Sequence, residues 1–264
     1  MTIAVNYALV TGASSGIGWH IAAALAKRGY HLVTVSNQPE QLSDQKKNLE
    51  RDYGVRVVPF CIDLACEDAA KQVFDFCIEN DLAVEVLINN AGIYFFGEVV
   101  SVDHINIKSM LTLHITTLVL LCRFFGEQMI ERGRGYIMNV SSITAVMPYP
   151  GISLYGPTKT FIRHFTRALR TEMQGRGIIV TCLIPGAVDT GLYDATNFNV
   201  PLLKKLGIIK QPSNVAEAGI RALFGDKAEC IPGLLSKLVI MLLPFVPHFV
   251  ISRINRRIKV TRKR

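Results

Sequence analysis

The sequence has no CxxC pair, no grouping of histidine and cysteine at metal-ligating spacing, and no acidic residue after Glu229. The first two absences exclude a zinc module, and no metal site is expected. The six cysteines (Cys61, Cys66, Cys77, Cys122, Cys182 and Cys230) mostly fall in apolar runs and read as buried, reduced thiols, not as a disulfide framework. The third absence locates the charge. Eight of the 29 basic residues follow position 230, leaving 21 basic against 21 acidic residues before it, so the net charge of +8 belongs to the tail. Aromatic residues are not interleaved with that charge, and no nucleic-acid partner is expected. Repeats and linker-like stretches are missing too, so residues 1–230 read as one domain and residues 231–264 as an apolar and basic extension. No leader segment precedes residues 7–11, which already read as a strand, and a cytoplasmic protein is expected.

What is present starts with enough apolar material for one large core: 264 residues, half of them hydrophobic. Residues 7–11 run directly into Gly12-Ala13-Ser14-Ser15-Gly16-Ile17-Gly18, and an alanine-rich helix follows to about residue 28. Strand, glycine turn and helix together make a phosphate-binding device, because the backbone can approach a pyrophosphate and the helix start offers free N–H groups. Residues 31–36 read as the second strand, whose carboxyl end selects the cofactor in dinucleotide folds. An acid there would bind a ribose 2′-hydroxyl and repel a 2′-phosphate. Here stand Ser36, Asn37 and Gln38, with no acid before Glu40, so NADP is tolerated or preferred and NAD stays open.

Further strands are read at 55–62, 84–88, 136–140 and 178–184, and polar or turn-forming residues follow each: Asp63-Leu64, Asn89-Asn90-Ala91-Gly92, Ser141-Ser142 and Pro185-Gly186. The stretch 103–132 reads as one long helix, apolar nearly all round, and so deeply buried or used in subunit contact. Alternating strands and helices give an α/β chain with a doubly wound parallel sheet, the Rossmann fold, which binds ligands at the strands' carboxyl ends.

The chemistry centres on Tyr155-Gly156-Pro157-Thr158-Lys159. A phenol and an ammonium four residues apart share one helix face, and the positive charge favours the phenolate. Pro157 requires that this helix begin close to Tyr155, since proline is accepted only in the first turn. Alone, the pair far more readily describes an exposed helix face. Its company decides: Ser142 stands thirteen residues upstream, where a strand reaches its carboxyl end.

In order and spacing, Thr11 to Gly18, Asp63, Asn89-Asn90-Ala91-Gly92, Ser142, Tyr155 with Lys159, and Pro185-Gly186 with Thr190 resemble the short-chain dehydrogenase/reductase family, from about residue 7 to 228. The resemblance implies an NAD(P)-dependent oxidoreductase acting on alcohol and ketone groups. Tyr155 would be the general acid in reduction, Ser142 would hydrogen-bond the carbonyl oxygen, and Lys159 would depress the Tyr155 pKa and hold the nicotinamide ribose. Gly12, Ser14, Ser15, Gly16, Ile17 and Gly18 would cradle the phosphates, Ser36 and Asn37 would choose the cofactor, and Asp63 and Leu64 would lie by the adenine. Asn90 would hold a ribose, Val188 and Thr190 the nicotinamide amide, with Ala91, Gly92, Pro185 and Gly186 completing the cofactor set. The family usually carries an asparagine on the long helix, 28 residues before the serine, that supports a proton relay; here that position is His114. Imidazole can also bond water, so His114 is retained as a candidate relay residue beside its structural reading. Homodimers or homotetramers are implied, joined through the long helices.

Residues 187–212 take the place of the family's substrate loop and are apolar, through Leu192, Tyr193, Phe198, Leu202, Leu203, Leu206 and others. With Tyr94, Phe95, Phe96, Met147 and Tyr149 they read either as a packed lid or as a pocket for a hydrophobic substrate. In the tail, residues 234–251 are apolar but broken by Pro244 and Pro247, and basic residues from Arg253 to Arg264 follow. That combination favours contact with the inner face of a membrane over a cap on the cleft or a subunit contact. The expected activity is NADP(H)-dependent reduction of a ketone on a hydrophobic substrate: a long-chain lipid intermediate such as a 3-keto sphingoid base or 3-ketoacyl compound, or a sterol. The alternative is a membrane-surface, cofactor-binding scaffold with little catalysis.

Overall fold

The computed structural model describes residues 6–146, 150–189, 209–247 and Phe249. Its centre is a sheet of seven parallel strands in the order β3-β2-β1-β4-β5-β6-β7. The inner strands β1 (Tyr7–Thr11) and β4 (Val84–Asn89) are buried along their whole length. Such strands read as continuous apolar runs because helices cover both faces of the sheet. Alternate side chains serve opposite cores. Leu9 packs with Val73 and Cys77 of α3 (Ala69–Glu79), Phe125 of α5 (Leu118–Arg132) and Ile162 of α6 (Tyr155–Met173). Its neighbours Ala8 and Val10 face Ile21 and Leu25 of α1 (Gly16–Ala26) and Ile220 of α7 (Pro212–Phe224).

From β1 the chain builds outward through β2 (His31–Ser36) to β3 (Val57–Cys61), then returns to place β4 on the other side of β1. Beyond β4 lie β5 (Gly135–Val140), β6 (Ile178–Leu183) and β7 (Glu229–Cys230). The reversal of direction at β1 and β4 leaves a crevice between the loops that leave their carboxyl ends.

Several elements differ from the sequence reading. β3 is shorter than 55–62, and Pro59 within it is tolerated because β3 is an edge strand. The helix α2 (Pro39–Tyr53) was not read because it buries only Leu42, Gln45 and Leu49, too little to show an apolar stripe. Strand β7 has two residues and no periodicity; Arg163 of α6 holds it by donating to both carboxylate oxygens of Glu229 at 2.8 and 3.0 Å. The long helix is not continuous: α4 (His104–Leu111) passes through a π-helical segment, Thr112–Thr117, before α5. Of the cysteines, Cys77, Cys122 and Cys182 are buried as expected, but Cys61 and Cys66 are exposed, since β3 ends at the sheet edge and its loop runs outward. α6 begins at Tyr155, so Pro157 falls in its first turn as required.

The turn that leads into β6 carries two glycines at positive φ, Gly175 at +80° and Gly177 at +77°. A β carbon on Gly177 would collide with the carbonyl of Gly133, whereas one on Gly175 would meet open space. Gly175→Ala is therefore expected to lose about 1 kcal/mol of unfolding free energy through backbone strain alone. Gly177→Ala is expected to lose about 3 kcal/mol or more, because strain and collision act together. Urea titrations of both variants, with equal losses as the opposing result, check this.

Candidate active site

The crevice is a cleft of about 560 Å³. One hydroxyl closes its floor. Thr11 Oγ1 donates to the Ile88 carbonyl at 3.2 Å and accepts from the N–H groups of Asn90 at 2.9 Å and Ala91 at 3.1 Å. The Asn90 amide donates back to the carbonyls of Thr11 at 3.0 Å and Gly12 at 3.1 Å. The glycine turn and the Asn-Asn-Ala-Gly turn are thus held as one unit. Gly12 has φ +62°, and a β carbon there would stand 2.8 Å from Ala91 Cα.

Helix α1 opens into this floor. Its cap residue Ser15 makes no side-chain capping bond, and its first turn holds no acidic residue, so its N–H groups and dipole face the cleft uncompensated. That arrangement suits a phosphate. At the far end Ser36 Oγ donates to Ser14 Oγ at 2.9 Å and accepts from the Gln38 N–H at 3.3 Å. The end of β2 presents hydroxyls and amides and carries no carboxylate of its own; Asp63, at the end of the neighbouring β3, is the acid that lines this side of the cleft. The residues present therefore fit a nicotinamide dinucleotide.

At the other end of the cleft α6 delivers Tyr155 and Lys159. Tyr155 is 4% exposed, with its ring edge-on to Tyr94 at 5.0 Å between centroids. Lys159 Nζ lies 5.6 Å from the centre of the Tyr155 ring and donates to the Val140 carbonyl at 3.1 Å. Burial pushes the Lys159 ammonium down to about 8. Ser141 Oγ donates to the Lys159 carbonyl at 2.7 Å and so ties the end of β5 to α6. The adjacent Ser142 Oγ accepts the Thr144 N–H at 3.2 Å, which leaves the Ser142 proton to be donated elsewhere.

Short chain dehydrogenases form a family whose sequence profile matches residues 6–199 of this chain. The chain belongs to that family. The zebrafish (Danio rerio) very-long-chain 3-oxoacyl-CoA reductase-A is 33% identical to this dehydrogenase over 208 residues, which cover 76% of the chain and 62% of the zebrafish protein. The human very-long-chain 3-oxoacyl-CoA reductase is 30% identical over 195 residues, 71% of the chain and 61% of its own length. The dehydrogenase thus matches about three-fifths of each relative. Among solved structures, a short-chain dehydrogenase from Sphingobium yanoikuyae in complex with NADPH superposes with a TM-score of 0.79 at 28% identity, covering 87% of this chain and 88% of that one. The L-sorbose reductase of Gluconobacter frateurii, complexed with NADPH and L-sorbose, gives 0.76 at 26% identity over 88% and 97% of the two chains.

Nearly all the residues singled out from sequence line this dehydrogenase's cleft: Gly12, Ser14 to Ile17, Ser36, Asn37, Asp63, Leu64, Asn90 to Gly92, Ser142, Tyr155, Lys159, Pro185, Gly186 and Val188. Gly18 does not. Its bare Cα lets α1 pack against the Gly12 carbonyl and the Asn90 amide. His114 does not line the cleft either: it is fully buried behind Gly92 and Lys159. Thr190, Met147, Tyr149 and the apolar residues of the substrate loop lie outside the described residues. Sequence reasoning missed Asn106 and Ser109, which α4 turns into the cleft one helical turn apart, and Leu113 beyond them. Their three- and four-residue spacing on one face was the available signal, hidden by the apolar surroundings.

Burial of Lys159 has a thermodynamic consequence in the cofactor-free protein. Between pH 8 and 10.5 the unfolded chain holds the Lys159 proton and the folded chain releases it, so stability rises with pH across that window. Below it the folded protein carries the full penalty. Lys159→Met is expected to flatten this rise and to stabilise the protein at neutral pH by something on the order of 3 kcal/mol. Unfolding free energies across pH 6–11 check it, parallel curves for the two proteins being the contrary result.

Proposed function

We propose that the protein reduces the 3-oxo group of a long-chain acyl thioester to a secondary alcohol, with NADPH as its cofactor. The observation that carries this reading is the convergence of Ser142, Tyr155 and Lys159 at one end of a dinucleotide-shaped cleft, beside an apolar wall in which Ile93 and Phe95 line the cleft and Met110, Ile152, Tyr94 and Leu154 pack with them. The relatives that reduce very-long-chain 3-oxoacyl thioesters support the substrate class, and the NADPH-bound neighbours support the cofactor. So does the run Ser36-Asn37-Gln38, which has no acid at the end of β2. Gly12, Ser14 to Ile17 and the start of α1 would hold the pyrophosphate, and Asn90, Lys159 and Val188 the ribose and nicotinamide end. Bound there, NADPH supplies the hydride.

The protein's own part is the proton and the charge. Tyr155 gives its phenolic proton to the carbonyl oxygen as negative charge develops on it, and Ser142 donates a hydrogen bond to the same oxygen. Lys159 stabilises the phenolate that remains, and its low-dielectric surroundings strengthen that effect. The apolar wall excludes water and takes the acyl chain.

In Tyr155→Phe, reduction of 3-oxoacyl thioesters is expected to fall by about 100- to 10,000-fold while NADPH binding is retained. NADPH absorbance with short- and long-chain thioesters, and with NADH in its place, measures both activity and cofactor preference. Undiminished turnover in the variant would remove the proposed role of Tyr155, and no reaction in the parent protein would favour a cofactor-binding scaffold.

The tail supports a membrane-surface location. In α8 (Leu234–Leu242) the exposed residues Leu234, Leu235, Leu238, Met241 and Leu242 share one face, and Phe245 beyond it is 82% exposed. Ser236 and Ile240 occupy the opposite, buried face. Joined in sequence to the basic residues 253–264, which lie outside the described residues, this face suits an anionic bilayer surface. The protein is expected to float with vesicles containing phosphatidylglycerol, less so at high salt, and the Leu235, Leu238 and Leu242 triple serine variant to remain in the pellet fraction. Equal flotation of the two proteins would turn the face into a cap or subunit contact.

A further inference from the structure

His114 sits where three segments of the site meet. It belongs to the π-helical segment between α4 and α5 and is fully buried. Nε2 accepts the Ile93 N–H at 3.1 Å, in the loop that follows β4. Nδ1 lies 2.9 Å from Thr158 Oγ1, in the first turn of α6. From the same segment Thr117 Oγ1 donates to the Leu64 carbonyl at 2.9 Å, in the loop after β3. Wide π turns recur at functional sites, and here one element ties two cleft loops and the first turn of α6 together.

The hydrogen bonds determine the ring's protonation. Thr158 Oγ1 gives its only proton to the Tyr155 carbonyl at 2.8 Å, so toward His114 it can only accept, and Nδ1 must carry a proton. An amide N–H can only donate, so Nε2 must carry none. Two independent bonds impose the same neutral tautomer. Protonation at Nε2 would break the bond to Ile93 and place a cation beside Lys159. Burial and Lys159 hold the imidazole well below its ordinary value for the same reasons. A relay needs one nitrogen to take up a proton and the other to release one. Neither can do so here while Ile93 and Thr158 keep their bonds.

We propose that His114 is a positioning residue: a neutral strut that braces the Gly92-Ile93 turn against the first turn of α6 and so sets Tyr155 over the cleft, moving no proton itself. The proposal rests on the reading of Tyr155 as proton donor. The strut leaves little slack, because a β carbon on Gly92 would stand 3.1 Å from Nε2 and 3.5 Å from Lys159 Nζ. The His114 ring also lies edge-on to the Tyr155 ring at 5.8 Å.

The test uses the full chain. With 15N-histidine labelling, the His114 resonances in the presence of NADPH are expected to report the Nδ1–H tautomer, unchanged across the pH range in which activity rises and falls. Glutamine can place an acceptor where Nε2 stands and asparagine a donor where Nδ1 stands. His114→Gln and His114→Asn are each expected to keep kcat within about tenfold, one hydrogen bond being lost, with KM and the shape of the pH profile unchanged. His114→Ala is expected to lose more. A resonance that titrates in step with activity, or a Gln variant that binds NADPH yet is as inactive as the Ala variant, would overturn the proposal in favour of a relay. Should the position 114 variants fail to fold, Thr158→Val and Thr158→Ser decide: the strut requires slowed turnover at an unchanged pH profile in the first and rescue in the second. The tautomer needs no substrate to be measured, so a failure of the ketone-reduction reading is distinguishable from a failure of this one.

Discussion

The hydroxyl of Thr11 is the joint on which the site depends. It spans the carboxyl ends of β1 and β4, the two strands between which the chain reverses direction, and it satisfies two N–H groups and one carbonyl that the sheet leaves over. An open α/β sheet gains a binding crevice at this place only if the loops on either side are prevented from collapsing into it. Each bond alone is worth about 1 kcal/mol net, but an unpaired buried partner would cost more, so the three stand or fall together. Gln45 reinforces the joint from α2, donating to the Ala13 carbonyl at 2.6 Å.

Above this floor the protein keeps a charged side chain where apolar ones would pack more cheaply. Lys159 is 4% exposed and has one carbonyl for a partner. Its neighbourhood also holds a polar network within the core: Asn89 donates to Asn139 at 2.9 Å, and Asn139 donates to Thr166 at 3.0 Å. Groups of this kind are retained against their desolvation cost where geometry must be unique. The positions that the cleft needs, on β4, β5 and α6, are the ones these bonds pin.

Much of the site was legible because its chemistry is written locally. A glycine turn must sit between strand and helix, a phenol and its lysine must share a helix face, and Pro157 can only fall in a first turn. What was not legible depends on partners distant in sequence. Nothing around residues 112–117 distinguishes a π turn from α-helix, since the wide turn is selected by the bonds that His114 and Thr117 find on Ile93, Thr158 and Leu64. His114 could be read as a structural residue or as a relay candidate for the same reason: a sequence names the imidazole but not what occupies its two nitrogens. Asn106 and Ser109 are ordinary helix residues until the fold points them at the cleft. Strand β7 is held by two backbone bonds from the end of β6 and by the grip of Arg163 on Glu229, a contact across 66 residues.

The outermost helix backs the cleft wall from behind. Ser236 of α8 fills the space beside Gly186, where a β carbon would meet its Oγ at 2.6 Å, and Ile240 packs with Ile184 and with Ile143 and Val146, the residues that follow Ser142. The greasy surface that would tempt an experimenter to trim this protein for solubility is therefore the back of a retaining wall. A shortened version would lose the side chains that fill the space beside Gly186 and pack on the segment after Ser142. Turnover measured on such a version would describe the trimmed molecule, not the one that carries its tail.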